Sequence, residues 1–311
     1  MIDKKIIIIV GPTAVGKTTI SIKIANRLTG EIISADSMQI YKYMNIGTAK
    51  PSPKERRGIK HHLIDIVEPD DNEFSVAVFQ KEARDCIDHI LKRKHLPILV
   101  GGTGLYINSI IYQMDFANTV SNIELRNKLE KDAEEFGKEY VYKKLEALDP
   151  RSAKRIHKNN VKRVIRAIEI YHETGKSMGD FSRDLKLDDK YNKVIIGLTR
   201  NRQELYDRIN SRVDSMVVEG LIEEVKNLLL MGYNENMLSL QGLGYKEVIG
   251  YLKGEYSLER AIEILKRDTR RYAKRQLTWF RRLDDIKWYN ISEYPSEEKL
   301  TSDIIKYIEG Y

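Results

Sequence analysis

Gly11-Pro12-Thr13-Ala14-Val15-Gly16-Lys17-Thr18 stands directly after the run Ile6-Ile7-Ile8-Ile9-Val10 and before apolar residues at Ile20, Ile24 and Leu28. A β-branched run without polar alternation reads as a parallel strand buried on both faces, and the spacing after Gly16 reads as a helix that stops near Gly30. The eight residues between them fit G-x-x-x-x-G-K-[ST] in the strand-to-helix context that gives this motif its meaning. Glycines let backbone amides face phosphate, the helix N-terminus adds positive potential, and Lys17 neutralises phosphate oxygens. The Thr18 hydroxyl is placed to meet Mg²⁺. The stretch is therefore a P-loop for a pyrophosphate group, and it does not specify whose pyrophosphate.

Two further strands end in polar or glycine-rich turns. Glu31-Ile32-Ile33-Ser34 runs into Ala35-Asp36-Ser37, and Pro97-Ile98-Leu99-Val100 runs into Gly101-Gly102-Thr103-Gly104. In an open parallel sheet the C-terminal edge of the strands is where ligands bind. The P-loop, Asp36 and Thr103 are thus expected to converge. Asp36 could ligate Mg²⁺, cap a following turn or act as a general base. Thr103 could cap the helix that begins near Leu105. An apolar strand ending in an acid, the usual second metal-holding element of P-loop nucleotide hydrolases, is incomplete: Ile98-Leu99-Val100 ends in glycine, and only the short Ile32-Ile33-Ser34-Ala35-Asp36 comes close.

Beyond residue 116 the pattern changes. Residues 123–136, 140–148 and 161–174 have helical spacing with dense charge and no strand-like runs, which predicts a helical insertion over 116–190. The strand signal returns at Val194-Ile195-Ile196-Gly197-Leu198, followed by helical stretches at 202–219, 221–231 and 258–282 and an extended piece at 286–291. Gly220 and Gly232 stand where helices are often terminated. The expected fold is α/β, a P-loop NTPase-like parallel sheet flanked by helices. Its core domain is discontinuous, 1–115 with 191–311, and an all-helical domain interrupts it.

Composition agrees with two domains for 311 residues, at about one per 150. Lys and Arg number 53 against 46 acids, a net charge of +7 and a pI near 9.1, which suits a polyanionic partner without requiring one. The single cysteine, Cys86, shares helical spacing with Phe79, Ala83 and Ile90 and is expected in the core. One cysteine rules out a disulfide framework or a cysteine metal site. The P-loop strand begins at once, leaving no room for a signal peptide, and no apolar run approaches the roughly 18 residues of a membrane span. The expectation is a cytoplasmic protein.

The basic residues cluster. Between Lys266 and Arg282, Arg267, Arg270, Arg271, Lys274, Arg275, Arg281 and Arg282 form a broad helical stripe with Tyr272, Trp279 and Phe280 interleaved. Ala273, Gln276 and Leu277 face elsewhere. The stripe is either a footprint for a phosphate backbone or a solvated face. Lys162, Arg163 and Arg166 make a second patch at helical spacing. His61-His62 lacks a third metal ligand at suitable spacing, which favours structural roles. Gln241-Gly242-Leu243-Gly244-Tyr245-Lys246 reads as a glycine-rich loop between helices.

Taken in order, GPTAVGKT (11–18), DSMQIYK (36–42), NIGTAKP (45–51), HHLIDIVEP (61–69), GGTGLY (101–106), IHKNNVKRVIRAIE (156–169) and YAKRQLTWF (272–280) resemble the tRNA dimethylallyltransferases, in their bacterial form. The departure lies at 158–162, where the family usually has proline near the start and glutamine in place of Lys162. The resemblance implies transfer of a dimethylallyl group from dimethylallyl pyrophosphate to the exocyclic N6 amine of the adenosine that follows the anticodon in tRNA. It implies that Asp36 is the base and that Lys17, the P-loop amides and Mg²⁺ receive the leaving pyrophosphate, with Thr103 beside the leaving oxygen and Arg212 near the pyrophosphate. It also implies an RNA lining made of Asp36, Ser37, Met38, Gln39 and Thr103. Arg126, Lys162, Arg163, Val164, Ile165 and Arg166 join that lining, as do Gln241, Gly242, Leu243, Gly244, Tyr245 and Lys246. The partners are then the anticodon stem-loop of tRNA and the prenyl donor, with no membrane and one RNA per monomer. The competing readings are prenylation of free AMP, a P-loop small-molecule kinase, and an RNA-binding NTPase switch.

Overall fold

The computed structural model describes residues 4–114, 122–178 and 186–311. The strand β1 (Lys5–Val10) leads through the P-loop into α1 (Lys17–Arg27) and β2 (Gly30–Ala35). After them come α2 (Pro53–Arg56), β3 (His61–His62), α3 (Val76–Lys92), β4 (Leu96–Gly101) and α4 (Gly104–Ile111). Four helices follow, α5 (Ile123–Glu135), α6 (Lys138–Leu148), α7 (Pro150–Ala153) and α8 (Val161–Thr174). The chain then forms β5 (Asn192–Thr199), α9 (Arg202–Val218), α10 (Leu221–Leu230), α11 (Tyr245–Leu252), α12 (Leu258–Phe280), β6 (Ile286–Asn290) and α13 (Glu297–Glu309).

The six strands form one sheet in the order β3-β2-β4-β1-β5-β6, parallel throughout. β1 lies inside it, and Ile6, Ile7, Ile8, Ile9 and Val10 are at most 1% exposed, which is why its sequence carries no polar alternation. The register sets the site. Ala35 pairs with Gly101 and Gly101 with Val10, so the first residues beyond these strands, Asp36, Gly102 and Gly11, leave one edge of the sheet side by side. The α/β class read from the sequence is the observed one.

Two compact units divide the chain, one of Met1–Ile111 with Asp189–Tyr311, the other Tyr112–Asp188. In the second unit α5 to α8 enclose Leu129, Val141, Leu145, Val164, Ile165 and Ile168. Asn122, Asp149 and Asn160 cap its helices by accepting hydrogen bonds from backbone N–H groups. The expected insertion start at residue 116 lies outside the described residues.

Three local differences from the sequence reading have physical causes. Cys86 is half-buried because the packed face of α3 runs through Phe79, Ala83, Ile87 and Ile90, with Ile87 taking the place expected of the thiol. β3 is a two-residue edge strand, too short for alternation to show. α13, unforeseen, packs Leu300, Ile304 and Ile308 into the cluster that holds α1 and the sheet. Gly220 and Gly232 have φ of 104° and 95°, conformations an L side chain rarely adopts, at the start and just past the end of α10.

Candidate active site

Gly11 makes the turn out of β1 possible: a Cβ there would lie 2.5 Å from the Leu198 carbonyl oxygen. The loop then passes through Ala14 and Gly16 at φ of 62° and 111°. No side chain caps α1 at Gly16, so its first-turn N–H groups are left for an anion. Lys17 Nζ folds back and donates to the Gly11 and Pro12 carbonyls at 2.8 and 2.9 Å. Burial pulls its pKa down to about 8, with Arg212 adding to the effect and Asp36 opposing it. An ammonium held among carbonyls and partly withdrawn from water is suited to an incoming phosphate.

α9 grips the loop from outside. Arg208 Nε donates to the Ala14 carbonyl at 3.0 Å, and Arg200, just before the helix, donates to Val15 at 2.9 Å. Arg212 lines the same cavity, its pKa lowered by burial and by Arg208 one turn earlier. Arg208 was not singled out in the sequence, although its i, i+4 spacing to Arg212 puts the two on one face.

Asp36 and the P-loop residues from Thr13 to Thr19 line one cavity of about 1090 Å³, together with Gln39, Arg208, Arg212, Tyr272 and Gln276. Asp36 Oδ1 accepts from the Met38 N–H at 2.9 Å, which fixes the carboxylate through a local turn. Thr103 does not act as a side-chain cap. Its hydroxyl oxygen accepts from the Ser37 N–H at 3.0 Å and lies 3.3 Å from the Ser37 hydroxyl, so it ties the exit of β4 to the exit of β2.

α12 closes this corner. Gln276, 6% exposed, accepts from the Thr13 N–H at 2.8 Å and donates to the Gly102 carbonyl at 3.0 Å. A Cβ on Gly102 would lie 2.2 Å from Gln276 Nε2, and one on Gly104 would lie 2.4 Å from the Trp279 ring. Gly102 and Gly104 are therefore the counterparts of Gln276 and Trp279. The Tyr272 phenol, beside Thr103 and Gln276, is pushed well above its usual pKa by burial and by Asp36, so it is a neutral donor.

A family profile for IPP transferase matches residues 39–283. The chain belongs to the IPP transferase family. It is 63% identical over 308 residues to a tRNA dimethylallyltransferase of Alkaliphilus oremlandii, covering 99% of this chain and 98% of that one. The corresponding protein of Alkaliphilus metalliredigens is 60% identical over 308 residues, with the same coverage. Among solved structures, a tRNA isopentenylpyrophosphate transferase from Bacillus halodurans superposes with a TM-score of 0.75 at 47% identity, covering 99% of this chain and 96% of that one. A eukaryotic dimethylallyltransferase acting on tRNA gives 0.83 at 30% identity, with coverages of 99% and 80%.

The residues that the family resemblance assigns to RNA fall into distinct environments. Gln39 is a strut, donating to the Thr48 and Ala49 carbonyls at 3.3 Å and accepting from the Ser34 hydroxyl at 3.0 Å. Met38 packs on Gly242, where a Cβ would lie 2.4 Å from its methyl carbon, so the loop 241–246 adjoins the exit of β2. Tyr245 does not present its ring at the surface. It is fully buried, its hydroxyl donating to Glu224 at 2.7 Å, while the same carboxylate accepts the N–H groups of Asn45, Ile46 and Gly47. Glu224 went unnoticed in the sequence because its partners are backbone groups 177 to 179 residues away. Leu243 packs, half-buried, against the same cluster, whereas Gln241 and Lys246 are exposed.

In the helical unit Lys162 and Arg163 are exposed, but Val164 and Ile165 are 1% and 2% exposed and belong to its core. Their side chains scaffold the helix that carries the cations. Arg126 and Arg166 both bind Glu169. On α12 the basic stripe is partly neutralised: Lys266 pairs with Asp214 and Arg267 and Arg271 share Asp268, while Arg270 donates to Asn210. Lys274, Arg275, Arg281 and Arg282 are exposed and have no ion pair among the described residues.

The histidine pair is structural. His62 Nε2 lies 2.7 Å from Glu31 and His61 Nδ1 lies 2.9 Å from the Ile59 carbonyl. Among the described residues no three His, Cys, Asp or Glu side chains meet in metal-binding geometry. The oxygen donors at the cavity, Thr18 and Asp36, fit a hard divalent cation that takes most of its ligands from phosphate and water. No described helix is long and apolar enough to cross a membrane.

Proposed function

We propose that the chain transfers a dimethylallyl group from dimethylallyl pyrophosphate to the N6 amine of the adenosine following the anticodon in tRNA, releasing pyrophosphate. The observation that carries the reading is that Lys17 and Asp36 line one cavity, a cation for the leaving group beside a carboxylate for the nucleophile. The allylic C–O bond breaks as the N6–C bond forms, and the N6 proton passes to the Asp36 carboxylate. An adenine amine is a weak nucleophile because its lone pair is conjugated into the ring, so a base in contact with it assists. Charge on the departing oxygen is taken by the P-loop amides, Lys17, Arg212 and Arg208.

Thr18 would hold Mg²⁺ against the pyrophosphate, where the ion would supply further charge neutralisation. Thr103, hydrogen-bonded to Ser37, orders the turn next to Asp36. The adenine must leave its stack to enter the cavity. The RNA is held by the exposed cations of α12, by Arg126, Lys162, Arg163 and Arg166 of the helical insertion (116–190), and by the loop 241–246 beside Ser37 and Met38. The enzyme is cytoplasmic and acts as a monomer, with the P-loop core formed by 1–115 and 191–311.

The test is a mass measurement. Protein, donor and Mg²⁺ are incubated with an anticodon stem-loop RNA or with AMP, and the stem-loop should gain one dimethylallyl group. Modification of AMP alone would overturn the assignment in favour of an adenylate prenyltransferase. Replacement of Asp36 by Asn should lower kcat by about 10² to 10⁴ with RNA affinity retained.

A further inference from the structure

Glu169 is fully buried on α8, among Ile165, Ala167, Ile168 and Ile170, which are 8% exposed or less. A carboxylate withdrawn from water must have its lone pairs met by donors. Oε1 accepts from the Asn122 N–H and Arg126 Nη2, both at 2.9 Å; Oε2 accepts from Arg126 Nη2 at 3.0 Å and Arg166 Nη1 at 2.7 Å. One carboxylate thus anchors two guanidinium groups. Both arginine side chains remain partly open, 38% exposed for Arg126 and 33% for Arg166.

The stoichiometry is informative. A single arginine would neutralise Glu169; the second is held on the same carboxylate against like-charge repulsion. Glu173, one turn on, is taken by Asn122 and His172. A paired guanidinium site, rooted in the core and open at its outer end, is complementary to a phosphate diester. Guanidinium groups bind phosphate through planar paired N–H donors, and fixing them beforehand removes the ordering cost of two long side chains.

We propose that Glu169 is a positioning residue that presets Arg126 and Arg166 as a paired cradle for an RNA backbone phosphate. The inference rests on the assignment of those two arginines to RNA made above.

Binding of a fluorescent anticodon stem-loop RNA is measured for the wild type, Glu169→Gln, the double variant Arg126→Ala with Arg166→Ala, and the triple variant. Gln keeps the shape but replaces one acceptor oxygen by an N–H donor facing guanidinium. The expected result is about tenfold weaker RNA binding for Glu169→Gln, a raised KM for RNA and an unchanged kcat at saturating RNA. In the arginine-free background the same change should have almost no further effect, the non-additivity of groups acting as a unit. Wild-type affinity for Glu169→Gln, or an equal loss in both backgrounds, would overturn the proposal and leave Glu169 a structural residue. If the double arginine variant binds RNA like the wild type, the RNA assignment itself falls and this inference with it. Should Glu169→Gln fold poorly, Glu169→Asp keeps the buried charge but cannot reach both arginines. It should also weaken binding measurably, and unchanged affinity would again overturn the proposal.

Discussion

Gln276 accepts the Thr13 N–H at 2.8 Å across a sequence separation of 263 residues, so the second residue of the P-loop's variable stretch is held by a helix from the far end of the chain. Its amide nitrogen holds the Gly102 carbonyl, and one side chain therefore joins the exits of β1 and β4 through α12. Truncation to Ala leaves both backbone groups without these partners and should cost about 1–3 kcal/mol in stability. We expect Gln276→Ala to raise the KM for the prenyl donor by about tenfold or more as the loop loosens. Thermal melting and steady-state kinetics check this, and a donor KM equal to that of the wild type would show that the loop holds its shape unaided.

Lys17 gives a pH dependence with a definite sign. Its folded-state pKa is about 8, against 10.5 for the free side chain, so between these values the unfolded chain binds more protons and this residue favours folding increasingly as pH rises. Anion binding works the other way, because pyrophosphate stabilises the ammonium and should draw a proton onto the protein above about pH 8. The kcat/KM for the donor is expected to fall above that pH. Lys17→Arg, which stays charged throughout, should lose this alkaline decline while keeping weaker activity. A wild-type profile that remains flat to about pH 9.5 would show that the lysine keeps its proton without the ligand.

Legibility in the sequence followed the distance between partners. The P-loop and the exits at Asp36 and Gly101 could be read because each is contiguous with the strand that positions it. The convergence of these exits could be read because a parallel sheet has one C-terminal edge. Gln276 could be read as turned away from the basic stripe of α12, but nothing local said that it faces Thr13 and Gly102. Tyr245 stands in a glycine-rich loop with nothing local to set it apart from its neighbours, yet Glu224 and Gly47 enclose it. Arg208 was accessible in principle through its spacing to Arg212, whereas the bond from Arg208 to Ala14 depends on how α9 packs.

Glu31 predicts a separate acid transition away from the cavity. Burial alone would raise its pKa, but hydrogen bonds from His62, Arg93 and His95, with the Arg93 charge, together outweigh that and hold it at about 2. A depressed carboxyl contributes stability that is complete above its unfolded value of 4.5 and is lost as pH falls from there toward about 2. We expect Glu31→Gln to cost roughly 2–3 kcal/mol at neutral pH and to flatten the stability curve across that window. Urea titrations at several pH values measure both, and an equally steep acid arm in the variant would assign the transition to other carboxylates.

The stripe on α12 separates into occupied and available cations, and salt dependence distinguishes them. Lys274 and Arg275 have no ion pair among the described residues, whereas the Arg270 guanidinium already donates to Asn210 Oδ1 at 2.6 Å. Each phosphate contact releases condensed counterions, so losing two should lower the slope of log K against log salt by about 1 to 2. Lys274→Ala with Arg275→Ala should therefore weaken stem-loop binding and flatten its salt dependence. Arg270→Ala should leave the slope nearly unchanged, because a guanidinium directed at Asn210 contributes structure rather than a phosphate contact. If Arg270→Ala flattens the slope as much as the double change does, the bond to Asn210 must break when RNA binds, and the whole stripe is the footprint.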